Sequence, residues 1–305
     1  MSAEFHNEEN ARKPPVFLVR VWRRLPVIVQ AVLTASLVSL LGSSVWSTVA
    51  YLNILHSPSI PWSVAGMAGY LWLYWQYLQG RWWPRGTAET RRRNLRAVSL
   101  PRQTWRWALL AGGSAIGATT ALMLVLARFF PTGNSLPDFA LRLPPHTLLP
   151  LILMSSTVAG IAEEASFRGY LQAPIERRHG PVAAILISSA LFSIAHLPGG
   201  RSITPASYVL FALYGVNYGI LAHVTRSILP GVVLHASGNV AGFALLWWLG
   251  ASAGETQWRA VAVTEALKDR LFLANCAEVI LLAAVALWAY RKLCVTMRGQ
   301  TSNTM

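Results

Sequence analysis

Apolar segments long enough to cross a lipid bilayer recur along this chain and limit its fold more than any other feature. A helix needs about 20 apolar residues to span the hydrocarbon core of a membrane. Eight segments approach or exceed that length, and they cover residues 27–55, 61–78, 107–127, 147–165, 181–197, 206–224, 229–249 and 271–290. Only 12% of the residues are charged, against about 25% in an ordinary soluble domain. The pattern predicts an all-α polytopic membrane protein of about eight transmembrane helices, in contact with the lipid bilayer.

The basic residues are concentrated in alternate loops. If the N-terminus is cytoplasmic, 20 of the 26 Lys and Arg residues lie in inside segments and 6 lie outside. Because Lys- and Arg-rich loops stay in the cytoplasm, we expect both termini in the cytoplasm. We expect the protein itself in the plasma (inner) membrane. The loop at 79–106 is the most basic and suits anionic lipid. The net charge of +14 therefore fits a membrane surface, and we expect no nucleic-acid partner.

Three polar clusters interrupt the apolar segments of the second half. An ionisable residue at membrane depth costs about 2.5–3.5 kcal/mol on insertion scales, so each one requires an explanation. In the first cluster, Glu164 and Arg168 have the four-residue spacing of an ion pair on one helix face. Glu163 points about 100° away and is available to a cavity. The alternative, two acids reaching the interface from a helix end, stays open for this cluster alone.

The second and third clusters each place a histidine on a helix face. Phe192 and His196 share one face, as do His235 and Asn239. Taken singly, His196 is also consistent with an interfacial residue at a helix end, and His235 with a helix-packing hydrogen bond.

A predicted turn relates the first two clusters. Gly180-Pro181, a strong helix breaker, lies midway between Glu163 and His196. An antiparallel hairpin around this turn would bring the two side chains level, each about 22–25 Å from the turn. His235 reaches the same depth if the hairpin tip projects about 15 Å into the cytoplasm. We then expect Leu197–Gly200 to dip back as irregular backbone that lines a cavity.

A carboxylate, two imidazoles and a carboxamide in a dry cavity suit hydrolysis. Glu163 is the candidate general base on a water that His196 helps to orient. His235 and Asn239 are candidates to stabilise the oxyanion. Glu163, His196 and His235 are also a candidate zinc set, since two histidines and a glutamate bind zinc in some hydrolases. The sequence contains no HExxH motif, which excludes the soluble zincin arrangement, and no GxSxG motif, which argues against a serine hydrolase.

Taken together, Glu163-Glu164-x-x-x-Arg168, Phe192-x-x-x-His196 and His235-x-x-x-Asn239 resemble the three motifs of the CPBP (Abi) family, which includes the type II CAAX prenyl proteases. The resemblance covers about residues 147–249. It implies an eight-helix intramembrane endopeptidase whose first glutamate activates water. It also implies membrane-associated protein or peptide substrates, prenylated CAAX-type proteins among them. The family's need for a divalent metal such as zinc is disputed, so that cofactor stays open.

On this interpretation the chain has four regions. They are a cytoplasmic N-terminal segment (1–26), an accessory region of three spans with a basic cytoplasmic loop (27–146), a CPBP-like catalytic core (147–249), and an outer loop, last span and cytoplasmic tail (250–305). A non-catalytic scaffold or bacteriocin-immunity protein of the same fold is the main alternative. A transporter with a proton relay through Glu163, His196, His235 and Glu278 is a third. No inverted repeat is visible, which disfavours the transporter.

Overall fold

The computed structural model describes residues 17–130, 142–196, 205–250 and 261–302. Helices dominate these ranges and no strand occurs in them, which confirms the predicted all-α fold. The helices are α1 (Phe17–Arg24), α2 (Val27–His56), α3 (Trp62–Leu78), α4 (Ala88–Leu95), α5 (Arg102–Leu126), α6 (Pro145–His179), α7 (Pro181–Ala195), α8 (Pro205–Thr225), α9 (Leu229–Gly250), α10 (Val263–Ala266) and α11 (Arg270–Ser302).

Five of the described helices are long and apolar enough to cross a membrane, as expected of an integral membrane protein. They are α2, α5, α6, the Ser207–Thr225 part of α8 and the Arg270–Gln300 part of α11. By contrast, α7 is apolar but has only 15 residues, fewer than the roughly 20 that a spanning helix needs. The eight apolar segments are therefore present as helices, but eight membrane spans are not confirmed.

The turn at Gly180 makes α6 and α7 an antiparallel hairpin. Gly180 has a φ of +82°, a conformation that a residue with a Cβ rarely adopts. Pro181 begins α7, where its missing N–H leaves no helical hydrogen bond unmade. The fourth predicted helix, expected to end at 165, instead continues to His179. Helix α7 packs on α8, and α9 packs on α6, so these four helices surround one region.

The backbone hydrogen-bonding pattern of α6 changes directly after the candidate catalytic residue Glu163. The helix is regular up to Glu163 and becomes a π-helix from Glu164 to Gln172, where every residue is buried. Segments of π-helix are rare and occur often at functional sites. This one packs against α2, and Ser166 Oγ donates to the Ala35 carbonyl at 2.7 Å. The first half of the chain therefore braces the segment that follows Glu163.

Candidate active site

The structure brings one carboxylate oxygen of Glu163 between two histidines from other elements. Its Oε2 lies 3.9 Å from His196 Nε2 and 3.8 Å from His235 Nε2. This oxygen is buried and has no hydrogen-bond partner within the described ranges. His196 directly follows α7, and His235 lies in the second turn of α9. The hairpin around Gly180 thus places Glu163 and His196 side by side, as their spacing predicts.

The two gaps are too long for direct hydrogen bonds and leave room for one small species. A water bonded to oxygen and nitrogen acceptors lies about 2.7–3.0 Å from each, so a water fits between Glu163 Oε2 and either nitrogen. Ligands about 2.0–2.1 Å from a tetrahedral zinc are roughly 3.3 Å apart, closer than the observed 3.8 and 3.9 Å. Among the described residues, no group of three His, Cys, Asp or Glu side chains is placed to hold a metal. The geometry therefore does not support the zinc set predicted from Glu163, His196 and His235.

Both imidazoles are held so that Nε2 faces Glu163. His196 Nδ1 lies 2.8 Å from the Phe192 carbonyl oxygen, and His235 Nδ1 lies 3.1 Å from Glu164 Oε1. A carbonyl or carboxylate oxygen only accepts, so Nδ1 carries the proton in each ring. In the neutral imidazoles Nε2 is then an acceptor, directed at the space beside Glu163 Oε2.

Aromatic rings fix the planes of the two histidines. His196 stacks on Phe211, with centroids 4.3 Å apart. His235 stacks on Tyr218 at 5.1 Å and an interplanar angle of 10°. Sequence analysis did not identify these two aromatic residues. Their seven-residue spacing, two turns along one face of α8, is the signal that could have found them.

Glu164 and Arg168 form a separate, fully buried pair behind the histidines. Glu164 Oε1 lies 3.1 Å from Arg168 Nη1 and also accepts the bond from His235 Nδ1. Arg168 Nη2 donates to the Gly215 carbonyl at 3.2 Å. The guanidinium carbon lies 4.4 Å from the centroid of the Phe192 ring, which adds a cation–π contact. The pair thus positions His235, whereas Glu163 alone faces the space between the histidines.

Gly231 allows α9 to approach this pair. A Cβ at this position would lie 2.7 Å from Glu164 Oε2, closer than the packed atoms of a protein interior come. The hydrogen bond between His235 and Glu164 therefore depends on a glycine one turn before His235 in α9.

Asn239 lies one turn beyond His235 and is half-buried. The hydrogen bonds found in the described ranges do not join its carboxamide to Glu163, His196 or His235. Its role at an oxyanion therefore stays a prediction. The segment Leu197–Gly200, expected to dip back into the membrane, lies outside the described residues.

A second polar cluster lies further along α6 and ties the basic loop to the π-helix. Glu176 Oε2 lies 2.8 Å from Arg96 Nη1, and Glu176 Oε1 lies 2.7 Å from His223 Nδ1. Arg96 Nη2 also donates to the Arg168 carbonyl at 2.7 Å. Arg96 thereby connects the loop at 79–106 to the segment that carries Glu164 and Arg168.

Comparison with known proteins agrees with this site. Residues 145–241 match the family model of type II CAAX prenyl endopeptidase Rce1-like proteins. The matched range contains all three motifs. No curated protein and no solved structure matches the chain significantly. The match confirms the resemblance drawn from the motifs: residues 145–241 are similar to the type II CAAX prenyl endopeptidases of the CPBP family.

Proposed function

We propose that this protein is an intramembrane endopeptidase that hydrolyses peptide bonds of membrane-associated proteins with a water activated by Glu163. The observation that carries the proposal is the buried Glu163 Oε2, which lacks a partner within the described ranges and faces two imidazole nitrogens. A buried carboxylate oxygen without a hydrogen bond is destabilising, and a water bonded to both Glu163 Oε2 and an imidazole Nε2 would satisfy it. The family match supports peptide-bond hydrolysis as the task of that water.

The proton inventory of the site constrains how it works. Glu163 Oε2 and the two Nε2 atoms of neutral imidazoles are all acceptors, whereas one water supplies two protons. A fully hydrogen-bonded water among these three atoms therefore requires one further proton, carried by an Nε2 or by the carboxyl. Placed on His235 Nε2, that proton makes the imidazole a donor while Glu163 remains a base.

The reaction then follows with balanced protons. Glu163 removes a proton from the water as the water oxygen attacks the peptide carbonyl carbon. The protonated His235 Nε2, with Asn239 as the second candidate donor, stabilises the oxyanion, a contribution of about 2.7–4 kcal/mol for a good donor. Glu163 gives its proton to the leaving nitrogen as the C–N bond breaks. No step is assigned to a metal, because the observed separations do not match a ligand set.

We further propose that the substrates are prenylated CAAX-type proteins or related membrane-bound peptides, reached from the cytoplasmic side of the plasma (inner) membrane. The family description supports the substrate class. The excess of Lys and Arg in alternate loops supports the orientation.

The test is cleavage of a fluorogenic peptide by the purified full-length chain in detergent. Prenylated and unprenylated forms of one CAAX peptide are compared, each with and without a chelator. Replacing a general base lowers the rate by about 10²–10⁴-fold, so Glu163→Gln should fall into that range. Glu89→Gln is the matched control, because Glu89 has an 81% exposed side chain on α4. Full activity of Glu163→Gln, or no cleavage by the wild type, contradicts the proposal, and a loss of activity with chelator shows a metal requirement.

A further inference from the structure

A cavity separate from the active site lies between the C-terminal end of α8 and the last turns of α11. Its volume is about 460 Å³, and its polar lining includes Arg226, Arg298 and His223. Pockets that hold small ligands measure about 300–1,000 Å³. The cavity therefore has room for a headgroup-sized molecule.

The charge of this cavity is positive. None of the described residues that line it is acidic. Glu176, the carboxylate bonded to His223, is already paired with Arg96. Arg226 and Arg298 are both exposed, and neither forms an ion pair with a described acidic side chain. The lining thus offers two uncompensated guanidinium groups to an anion.

The backbone at Arg226 has a conformation that is uncommon for a residue with a side chain. Arg226 directly follows the last residue of α8 and has a φ of +54°. Helices commonly end in this left-handed conformation, but glycine usually occupies the position because a Cβ is unfavourable there. Arg96, the other described non-glycine residue with positive φ, uses its guanidinium to bind Glu176. We expect the guanidinium of Arg226 to have a ligand as well.

The depth of the cavity matches the headgroup layer. The apolar part of α11, Leu271 to Tyr290, is about 30 Å long, the thickness of a hydrocarbon core. Cys294 and Arg298, which line the cavity, lie about 6 and 12 Å beyond Tyr290 along the helix. Glu176, the neighbour of His223, lies about three helical turns beyond Glu163 along α6. The cavity therefore lies at the level of the lipid phosphates and well away from the candidate catalytic residues.

We infer that this cavity binds the phosphate of an anionic phospholipid headgroup, with Arg226 and Arg298 as its cationic ligands. Basic pockets between transmembrane helices suit such headgroups, and arginine forms paired hydrogen bonds with phosphate oxygens. The inference does not depend on the proposed peptidase activity.

The experiment compares the wild type with the double variant Arg226→Gln/Arg298→Gln in phosphatidylcholine vesicles, with and without equimolar phosphatidylglycerol. Phosphatidylglycerol retained after extraction and delipidation is measured by mass spectrometry, and the affinity by titration in mixed micelles. The double variant should bind phosphatidylglycerol about 30-fold more weakly, which corresponds to about 1 kcal/mol per arginine. The matched control is Arg92→Gln/Arg93→Gln, which removes the same charge from exposed positions on α4.

The outcomes separate the sources of the anion. The inference holds if the cavity variant loses bound phosphatidylglycerol and the α4 variant keeps it. Equal losses in both variants, or none in either, overturn it, because they show general surface attraction or no site. If the cavity binds free anions, inorganic phosphate raises the thermal unfolding midpoint of the protein. Stabilisation by phosphate equal to that by phosphatidylglycerol therefore also overturns the lipid assignment. Unfolding midpoints of both variants without lipid confirm that each is folded.

Discussion

Replacing Glu164 with glutamine removes the charge of an ion pair whose two side chains are fully buried. Glu164 Oε1 accepts from Arg168 Nη1 and from His235 Nδ1, each at 3.1 Å. Glutamine keeps the size of the side chain but leaves the Arg168 guanidinium, 0% exposed, without its counter-charge. The change should therefore act on folding before it acts on chemistry.

The magnitude follows from the two bonds. Hydrogen bonds to charged groups contribute about 1.5–3 kcal/mol each, so the two bonds together contribute about 3–6 kcal/mol. Breaking a buried ion pair by removing one partner costs about 3–5 kcal/mol. The two ranges overlap, so we expect Glu164→Gln to lower the free energy of unfolding by about 3–5 kcal/mol. That loss is a large share of the roughly 5–15 kcal/mol of a typical protein.

The neighbouring residue provides a matched control. Glu163→Gln is the same chemical change one residue earlier, but Glu163 Oε2 has no partner within the described ranges. We expect this variant to lose about 1 kcal/mol or less and to be folded but inactive. Denaturant unfolding in detergent and expression yield measure the first effect, and peptide cleavage the second. A stable, inactive Glu164→Gln beside an active Glu163→Gln would refute the assignment of the two carboxylates.

Three further predictions concern packing and topology. Arg96→Gln should lower the free energy of unfolding by about 1.5–3 kcal/mol, because it removes the bonds to Glu176 and to the Arg168 carbonyl; thermal unfolding that matches wild type would contradict this. Gly231→Ala should lower the free energy of unfolding by about 1–3 kcal/mol through overpacking against Glu164. Gly242→Ala should not lower it, because nothing lies within 4 Å of a Cβ at that position. Equal unfolding midpoints of the two variants would show that α9 shifts without cost to accommodate the added Cβ. Reporters fused at Asn94 and at Leu136, which lies outside the described residues, should report cytoplasm and exterior respectively; the reverse would overturn the orientation.

Local features of the sequence determine the helices. In lipid the backbone must satisfy its own hydrogen bonds, so an apolar run becomes a helix whatever surrounds it. The break at Gly180 is equally local, because it follows from the conformations open to glycine and proline. The four-residue spacing of Glu164 and Arg168 likewise needs only the geometry of one helix. Fold class, the hairpin and the motifs could therefore be read without coordinates.

The number of membrane spans could not be read in this way. Hydropathy counts apolar residues but does not fix the length of the helix that forms, and the 15 residues of α7 are too few to span. The π-helix from Glu164 to Gln172 was also not predictable. Contacts from distant residues accompany it, the Arg96 bond to the Arg168 carbonyl and the Ser166 bond to the Ala35 carbonyl.

Only the tertiary structure decided which polar groups bond to one another across distant helices. His235 bonds Glu164 across 71 residues of sequence, and Arg96 bonds Glu176 across 80. Such contacts depend on how closely two helices approach and on their rotation, as at Gly231, where one added carbon would strike Glu164. A periodic pattern states which face a residue occupies but not which neighbour that face meets, because packing many side chains together settles the distance between helices.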